Sequence, residues 1–245
     1  LREICMVRRL KKDVLPELPD KQQSIIPISI TNRREYNRAE NEFISWITEM
    51  RGDDASFRAR KAEQIVRLEC LKQLSALGKL ESIIQWITTF LDSEEKLVVF
   101  AHHREIIDRL YKAFPEISVT YTGDDPPESR TKAIERFQTD DTIRLFLGSI
   151  KAAGTGLTLT AASNVAFVEI GWTPGEHAQA EDRIHRIGQK NACNVWYFVA
   201  KETVDEPIFS LLAKKRMVIG TIIDEETIIT EFLNSVGKDG AKLLR

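Results

Sequence analysis

Arg183 and Arg186 lie three residues apart in the stretch QAEDRIHRIGQ, which runs from Gln179 to Gln189. On a helix successive residues turn by about 100°, so Gln179, Arg183 and Arg186 fall within a stripe roughly 60° wide. Two guanidinium groups aimed at one point repel each other unless an anion lies between them, and their planar forks match phosphate oxygens. The spacing equally suits two solvated arginines paired with Glu181 and Asp182, and charge pattern alone favours that plainer reading.

Other stretches carry chemistry of the same kind. In SIKAAGTGLTLT (149–160), Gly154 and Gly156 could let the backbone approach a ligand closely, or could serve a tight strand-to-helix turn. The loop is not a G-x-x-x-x-G-K-[ST] phosphate cradle, and no such motif occurs in the chain. LGKLES (77–82) lacks its leading glycine, so Lys79 is expected at the surface. Trp172 follows a strand, where an indole could stack on a base, wedge into a groove, or equally pack in the core or as a cap. His102 and His103 open a helix. Asp108 is badly spaced to complete a metal site with them, and helix-start contacts to phosphate fit better. The basic cluster Arg8, Arg9, Lys11 and Lys12 reads as a solvated face.

The elements that must position these residues follow from periodicity. Short apolar runs at 96–101, 117–121, 143–149, 164–170 and 194–200 read as strands, and amphipathic helices at 103–114, 128–138 and 174–187 alternate with them. That alternation predicts an α/β fold, a doubly wound parallel sheet with helices on both faces. Thr173 and Glu176 have capping-box spacing, Pro174 suits the first helical position, and Gly188 suits a left-handed stop. On that helix Ala180, Ile184 and Ile187 form the core stripe. Before this region, SIIPISI (24–30) reads as an edge or irregular strand because of Pro27. Helices are expected from Thr31 to about Met50, then over 57–77 and 79–91 with Gly78 as punctuation. A further helix begins near Asp205.

The 245 residues carry a formal net charge of −2, which excludes a chain that binds nucleic acid through overall basicity; any such site must be a local patch. Cys5, Cys70 and Cys193 show neither metal-ligand spacing nor a disulfide framework, as expected for a reducing intracellular setting. No apolar run reaches membrane length and no stretch resembles a signal peptide, so no membrane association is expected. The chain opens mid-pattern with LREICMVRRLKKDVL, without an initiator methionine, and is expected to be a piece of a longer protein.

Singly these signals are weak; their order is specific. KLVVFAHHREIIDRL, YTGDDPPESRTKAIERFQ, LGSIKAAGTGLTLTAASNVAFVEIGWTPG and QAEDRIHRIGQ resemble, in that order, motif IV, the following G…R…F block, motif V and motif VI of SWI/SNF-type ATPases, which belong to superfamily two of the helicase-like motors. MVRRLKKDVLPELPDK resembles the segment entering the second lobe of those motors. The match extends to about Arg216, and FAHH with QAEDRIHRIGQ is most similar to the annealing-helicase (HepA-related, HARP) branch.

The resemblance implies the second, RecA-like lobe of a two-lobe motor that binds ATP between its lobes. It divides the chain into an entry segment (1–30), a helical protrusion (31–92), the lobe itself (93–203) and a brace-like helical extension (204–245). It implies that Arg183 and Arg186 are arginine fingers reaching the γ-phosphate, with Gln179 positioning them, and that Gly154, Thr155 and Gly156 sense nucleotide. Ser149, Lys151, Trp172, His102, His103, Thr122 and Gly123 match positions contacting one nucleic-acid strand. SIKAAGTG replaces the more usual arginine-and-paired-glycine form, which bears on the role of Lys151.

ATP and Mg2+ are the implied cofactors, with magnesium ligands on the first lobe. The implied partners are double-stranded or branched DNA, that first lobe, and a DNA-bound protein at the protrusion. The setting would be the nucleus of a eukaryote or the cytoplasm of a prokaryote. Fork reversal and strand annealing are favoured over chromatin remodelling or RNA-polymerase recycling, and this chain alone is expected to be inactive as an ATPase. The alternative of another class is a non-catalytic α/β interaction module, which absence of a phosphate-cradling loop upstream would favour.

Overall fold

A computed structural model describes residues 15, 17–49, 57–152 and 156–217. Six strands form one sheet: β1 (Lys21–Ile28), β2 (Leu97–Ala101), β3 (Ser118–Tyr121), β4 (Leu145–Ser149), β5 (Asn164–Phe167) and β6 (Cys193–Ala200). Their order is β1-β6-β5-β2-β4-β3, and every neighbouring pair is parallel. The helices are α1 (Arg33–Glu49), α2 (Phe57–Leu91), α3 (Arg104–Ala113), α4 (Pro127–Thr139), α5 (Pro174–Glu181) and α6 (Asp205–Met217).

Central strand β2, LVVFA, is buried along its whole length, as a strand covered on both faces must be. Side chains alternate across it. Val98 and Phe100 join the layer containing Phe137 of α4, Ala180 of α5 and Ile208 of α6. Leu97 and Val99 join the layer containing Ile83 of α2 and Ile106 of α3. Each fully buried leucine or phenylalanine contributes about 2 kcal/mol by leaving water. The doubly wound sheet is therefore as expected.

Strand β1 lies at the edge, where Pro27 is tolerated. The carbonyls of Asp20 and Ile28 accept from the amides of Cys193 and Lys201, so even-numbered residues bond to β6 and the Pro27 nitrogen faces the open edge. The sheet thus draws a strand from the expected entry segment. The C-terminal half of α2, from Ala76 to Ile87, packs on the sheet layer rather than standing apart from it.

Gly78 does not punctuate two helices; it lies inside the continuous α2. Its carbonyl accepts from the Thr31 amide at 2.9 Å and the Thr31 hydroxyl at 3.1 Å. A Cβ at this position would lie 1.9 Å from Asn32 Oδ1 and 2.7 Å from Ile30 Cβ. Close approach, not chain breaking, requires glycine here. Lys79, expected at the surface, is 0% exposed. Its ammonium donates to the Phe198 carbonyl at 2.7 Å and pairs with Asp205, clamping α2 to the β6–α6 corner. Helix α6 packs on the same layer as α4 through Ile208 and Leu212. The rest of the expected brace, 218–245, lies outside the described residues.

Candidate functional site

The loops leaving the carboxyl ends of β2, β3 and β4 enclose a groove of about 400 Å3. Ligands gather at this edge in open α/β sheets. Its lining includes His102, Thr122, Gly123, Ser149 and Lys151. Five residues expected to contact nucleic acid, drawn from three separate loops, are therefore brought together. The Thr122 amide and hydroxyl donate to Asp125 at 2.6 and 2.9 Å, which closes the turn after β3. Gly123 has open space where a side chain would stand, leaving the groove mouth clear.

Two arginines of this groove were not among the expected site residues. Arg104 donates to the Thr122 hydroxyl at 2.6 Å and to Asp108 at 2.8 Å. Arg130 sits with its guanidinium carbon 6.0 Å from the Tyr121 ring centroid, and its Nε is buried without a hydrogen-bond partner. An orphaned buried donor on a groove wall is a physical reason to expect an acceptor there. The signal in sequence was the arginine of the G…R…F block, which periodicity placed on a helix without indicating its direction.

The helix-start contact expected of His102 and His103 is already made internally. Glu169, from the β5–α5 loop, accepts from the amides of His102 and His103 at 2.7 and 2.8 Å. Its other oxygen lies 2.5 Å from His103 Nδ1. A buried carboxylate thus serves the positive end of α3, and those amides are not open to phosphate. Burial alone would push Glu169 up, but its bonds and attraction to His103 outweigh this and hold it below the usual carboxylate range. Of the two histidines only His102 lines the groove. Burial, assisted by the Lys72 charge, lowers it to about 4, so at neutral pH it is an uncharged hydrogen-bonding group.

The arginine segment starts from the expected capping box: the Glu176 amide donates to the Thr173 hydroxyl at 3.1 Å, and the Glu176 carboxylate accepts from the Thr173 amide at 3.2 Å. The helix expected over 174–187 stops at Glu181, and the chain continues as turns. Long-range anchors end it. Glu181, 2% exposed, accepts from Lys21 at 2.7 Å, Gln23 at 3.0 Å and the Tyr197 hydroxyl at 2.5 Å. His185 Nε2 lies 2.8 Å from the Pro19 carbonyl. Gln189 donates to the Ala162 carbonyl at 2.8 Å and accepts from the amides of Lys190 and Asn191. Gly188 has φ +99°, the left-handed conformation expected of it. Ala180 and Ile184 are buried as expected, but Ile187 is 70% exposed because the helix has ended before it.

Around these anchors the polar side chains differ in exposure. Gln179 and Arg186 are exposed and Arg183 is half-buried. Burial and then the Arg186 charge lower the Arg183 pKa, so the two guanidiniums feel one another. Arg186 donates to the Thr158 hydroxyl at 3.1 Å. That places it beside the end of the glycine loop. Gly156 is exposed with open space around it, whereas Gly154 and Thr155 lie outside the described residues.

Trp172 is not at a ligand-facing edge. It is 1% exposed, its indole N–H donates to Glu69 at 2.5 Å, and the Lys72 ammonium covers its ring at 4.1 Å. Among the described residues no three His, Cys, Asp or Glu side chains are grouped to hold a metal. Among them, too, no helix is long and apolar enough to cross a membrane.

Residues 78–188 match the family described as the helicase conserved C-terminal domain. The chain is 35% identical over 225 residues to the DNA annealing helicase and endonuclease ZRANB3 of Mus musculus, covering 89% of this chain and 20% of that protein. It is 34% identical over 225 residues to a Caenorhabditis elegans homolog of SWI/SNF-related matrix-associated actin-dependent regulator of chromatin subfamily A-like protein 1, covering 89% of this chain and 31% of that one. Among solved structures, the Sulfolobus solfataricus SWI2/SNF2 ATPase core in complex with dsDNA is similar with TM-score 0.71 and 25% identity, over 94% of this chain and 53% of that one. The C-terminal part of the Fun30 ATPase domain shares the fold with TM-score 0.71 and 17% identity, over 91% of this chain and 99% of that one. The chain spans between a fifth and a third of the length of these curated relatives.

Proposed function

The chain belongs to the SWI/SNF-related helicase-like ATPases as a C-terminal RecA-like lobe, and on that premise we propose that it is half of a DNA-dependent ATPase that translocates on double-stranded DNA. ATP would lie between Arg183 and Arg186 and the first lobe. In hydrolysis, water would bond to the γ-phosphorus as its bond to the β–γ bridging oxygen breaks, releasing ADP and phosphate, and negative charge would be redistributed over the bridging and γ-phosphoryl oxygens. The two guanidiniums would donate to those oxygens, and a finger of this kind contributes about a thousandfold or more to rate. Gln179, exposed on α5, would help orient them, and the Gly154–Thr155–Gly156 loop would respond to the nucleotide. The groove lined by His102, Thr122, Gly123, Ser149 and Lys151 would follow one strand's phosphates, with Arg130 supplying a donor. Such binding is independent of sequence and weakened by salt.

The observation that carries this reading is the anchoring of Glu181, His185 and Gln189, which fixes the backbone on both sides of half-buried Arg183 and exposed Arg186, whose charges lie close enough to act on each other. Its test is DNA-stimulated ATP hydrolysis by the full-length protein with Arg186→Ala. Normal turnover would remove the finger assignment and favour a non-catalytic module. Fork reversal and strand annealing are the favoured task because a relative 35% identical is described as a DNA annealing helicase. The relative described as a regulator of chromatin supports the second reading, remodelling on nucleosomes. Comparing stimulation of the full-length ATPase by forked DNA and by nucleosomes separates the two.

A further inference from the structure

Helix α2 carries neither the groove lining named above nor the arginine segment, yet Glu69 on α2 touches the loops that lead to both. Its Oε1 accepts the Trp172 indole N–H at 2.5 Å. Its Oε2 lies 3.8 Å from His102 Nε2 and 3.6 Å from His103 Nε2, buried there without a hydrogen-bond partner. Lys72, 3.7 Å from Glu69, lies over the Trp172 ring.

The geometry of the two loops gives this contact its meaning. His102 stands on the groove wall, in the loop from β2 to α3. Trp172 immediately precedes Thr173, the N-cap of α5, and α5 leads directly to Arg183 and Arg186. Strands β2 and β5 are neighbours, so the two loops leave adjacent positions on the sheet edge. One carboxylate from outside the sheet therefore spans the groove side and the arginine side. The N–H bond to a charged acceptor is a strong one in a partly dry setting. With Trp172 fully buried, the start of α5 cannot shift without disturbing it.

We propose that Glu69 is a positioning residue that couples occupancy of the groove to the placement of the arginine segment. The inference rests on the functional reading above, in which the groove holds DNA and the arginines act on ATP. A phosphate bound beside His102 and Lys151 alters the charge facing Glu69, and Glu69 passes a displacement of that loop to Trp172 and the cap of α5. The groove thereby makes the arginines competent, which is a coupling free energy between two sites.

The experiment uses the full-length protein with duplex DNA as the probe, measuring ATP hydrolysis with and without DNA, the DNA dissociation constant and the thermal midpoint. Glu69→Ala is expected to lower the ratio of stimulated to unstimulated hydrolysis about tenfold, and Glu69→Gln, which keeps shape and acceptor but not charge, about threefold. The unstimulated rate and the DNA dissociation constant stay within about twofold in both. An unchanged ratio overturns the proposal, as does an equal fall of both rates, which marks a merely structural role. If Glu69→Ala does not fold, the Glu69→Gln ratio decides by the same criteria. Arg186→Ala is run in parallel. If it is dead while both Glu69 variants are fully stimulated, only the coupling fails; if it is fully active, the functional reading fails.

Discussion

Arg186 donates to the hydroxyl of Thr158 across 3.1 Å, joining the arginine segment to the far end of the glycine loop. The two stretches are separated in sequence by a strand and a helix, and the sheet brings them to one edge. A ligand that draws Arg186 away must release this bond, so the loop and the arginine respond together. In the full-length protein, Arg186→Ala is expected to lower DNA-stimulated ATP turnover about a thousandfold with much less effect on ATP binding. Arg186→Lys should fare little better, because an ammonium lacks the planar fork. Steady-state kinetics on both variants checks this.

In the groove, Arg130→Ala and Lys151→Ala should weaken binding to duplexes of any sequence. Removing one cation from a phosphate makes the slope of log K against log salt shallower by about 0.9. Titrations at several salt concentrations test the effect, and an affinity loss with an unchanged slope would assign these residues to packing instead.

Glu181 holds three partners from β1 and β6 in a buried position. Replacing it with alanine leaves the Tyr197 hydroxyl and the Lys21 ammonium without their acceptor, and should cost about 3 kcal/mol in urea unfolding. Gly78→Ala gains helix propensity of about 1 kcal/mol but forces a Cβ against Ile30 and Asn32, so a net loss of about 1–3 kcal/mol is expected.

His102 is held at about 4, below its ordinary value of 6.5. The unfolded chain therefore binds more protons than the folded one between those values, and stability rises with pH across that window. Glu169, lowered by His103, acts in the same direction at more acidic pH. Lys72 and Lys151 oppose protonation of His102, while Glu69 and Glu169 favour it. His102→Asn should flatten the rise between about pH 4 and 6.5 by on the order of 2 kcal/mol. Denaturant unfolding at stepped pH measures it.

The parts of this protein legible in its sequence are those whose causes are local. A five-residue apolar run is a strand buried on both faces because its own side chains alternate between two layers. The Thr173 and Glu176 capping box forms from residues three apart. Gly188 takes positive φ because glycine meets little steric cost there. The order of the motifs along the chain was enough to indicate the family.

Partners distant in sequence decided the rest. Helix α5 stops at Glu181 because side chains there and beyond bind β1, β6 and the segment before β1, which periodicity cannot register. Lys79 is buried since a carbonyl of β6 and the Asp205 carboxylate await it. Trp172 turns inward because α2 offers an acceptor and a cation for its ring. The amides of His102 and His103 are taken by Glu169, a residue 66 positions from His103 in the chain. Sequence shows which groups a segment carries and how they repeat; only the closed sheet edge decides which of them meet a buried partner and which are left facing out.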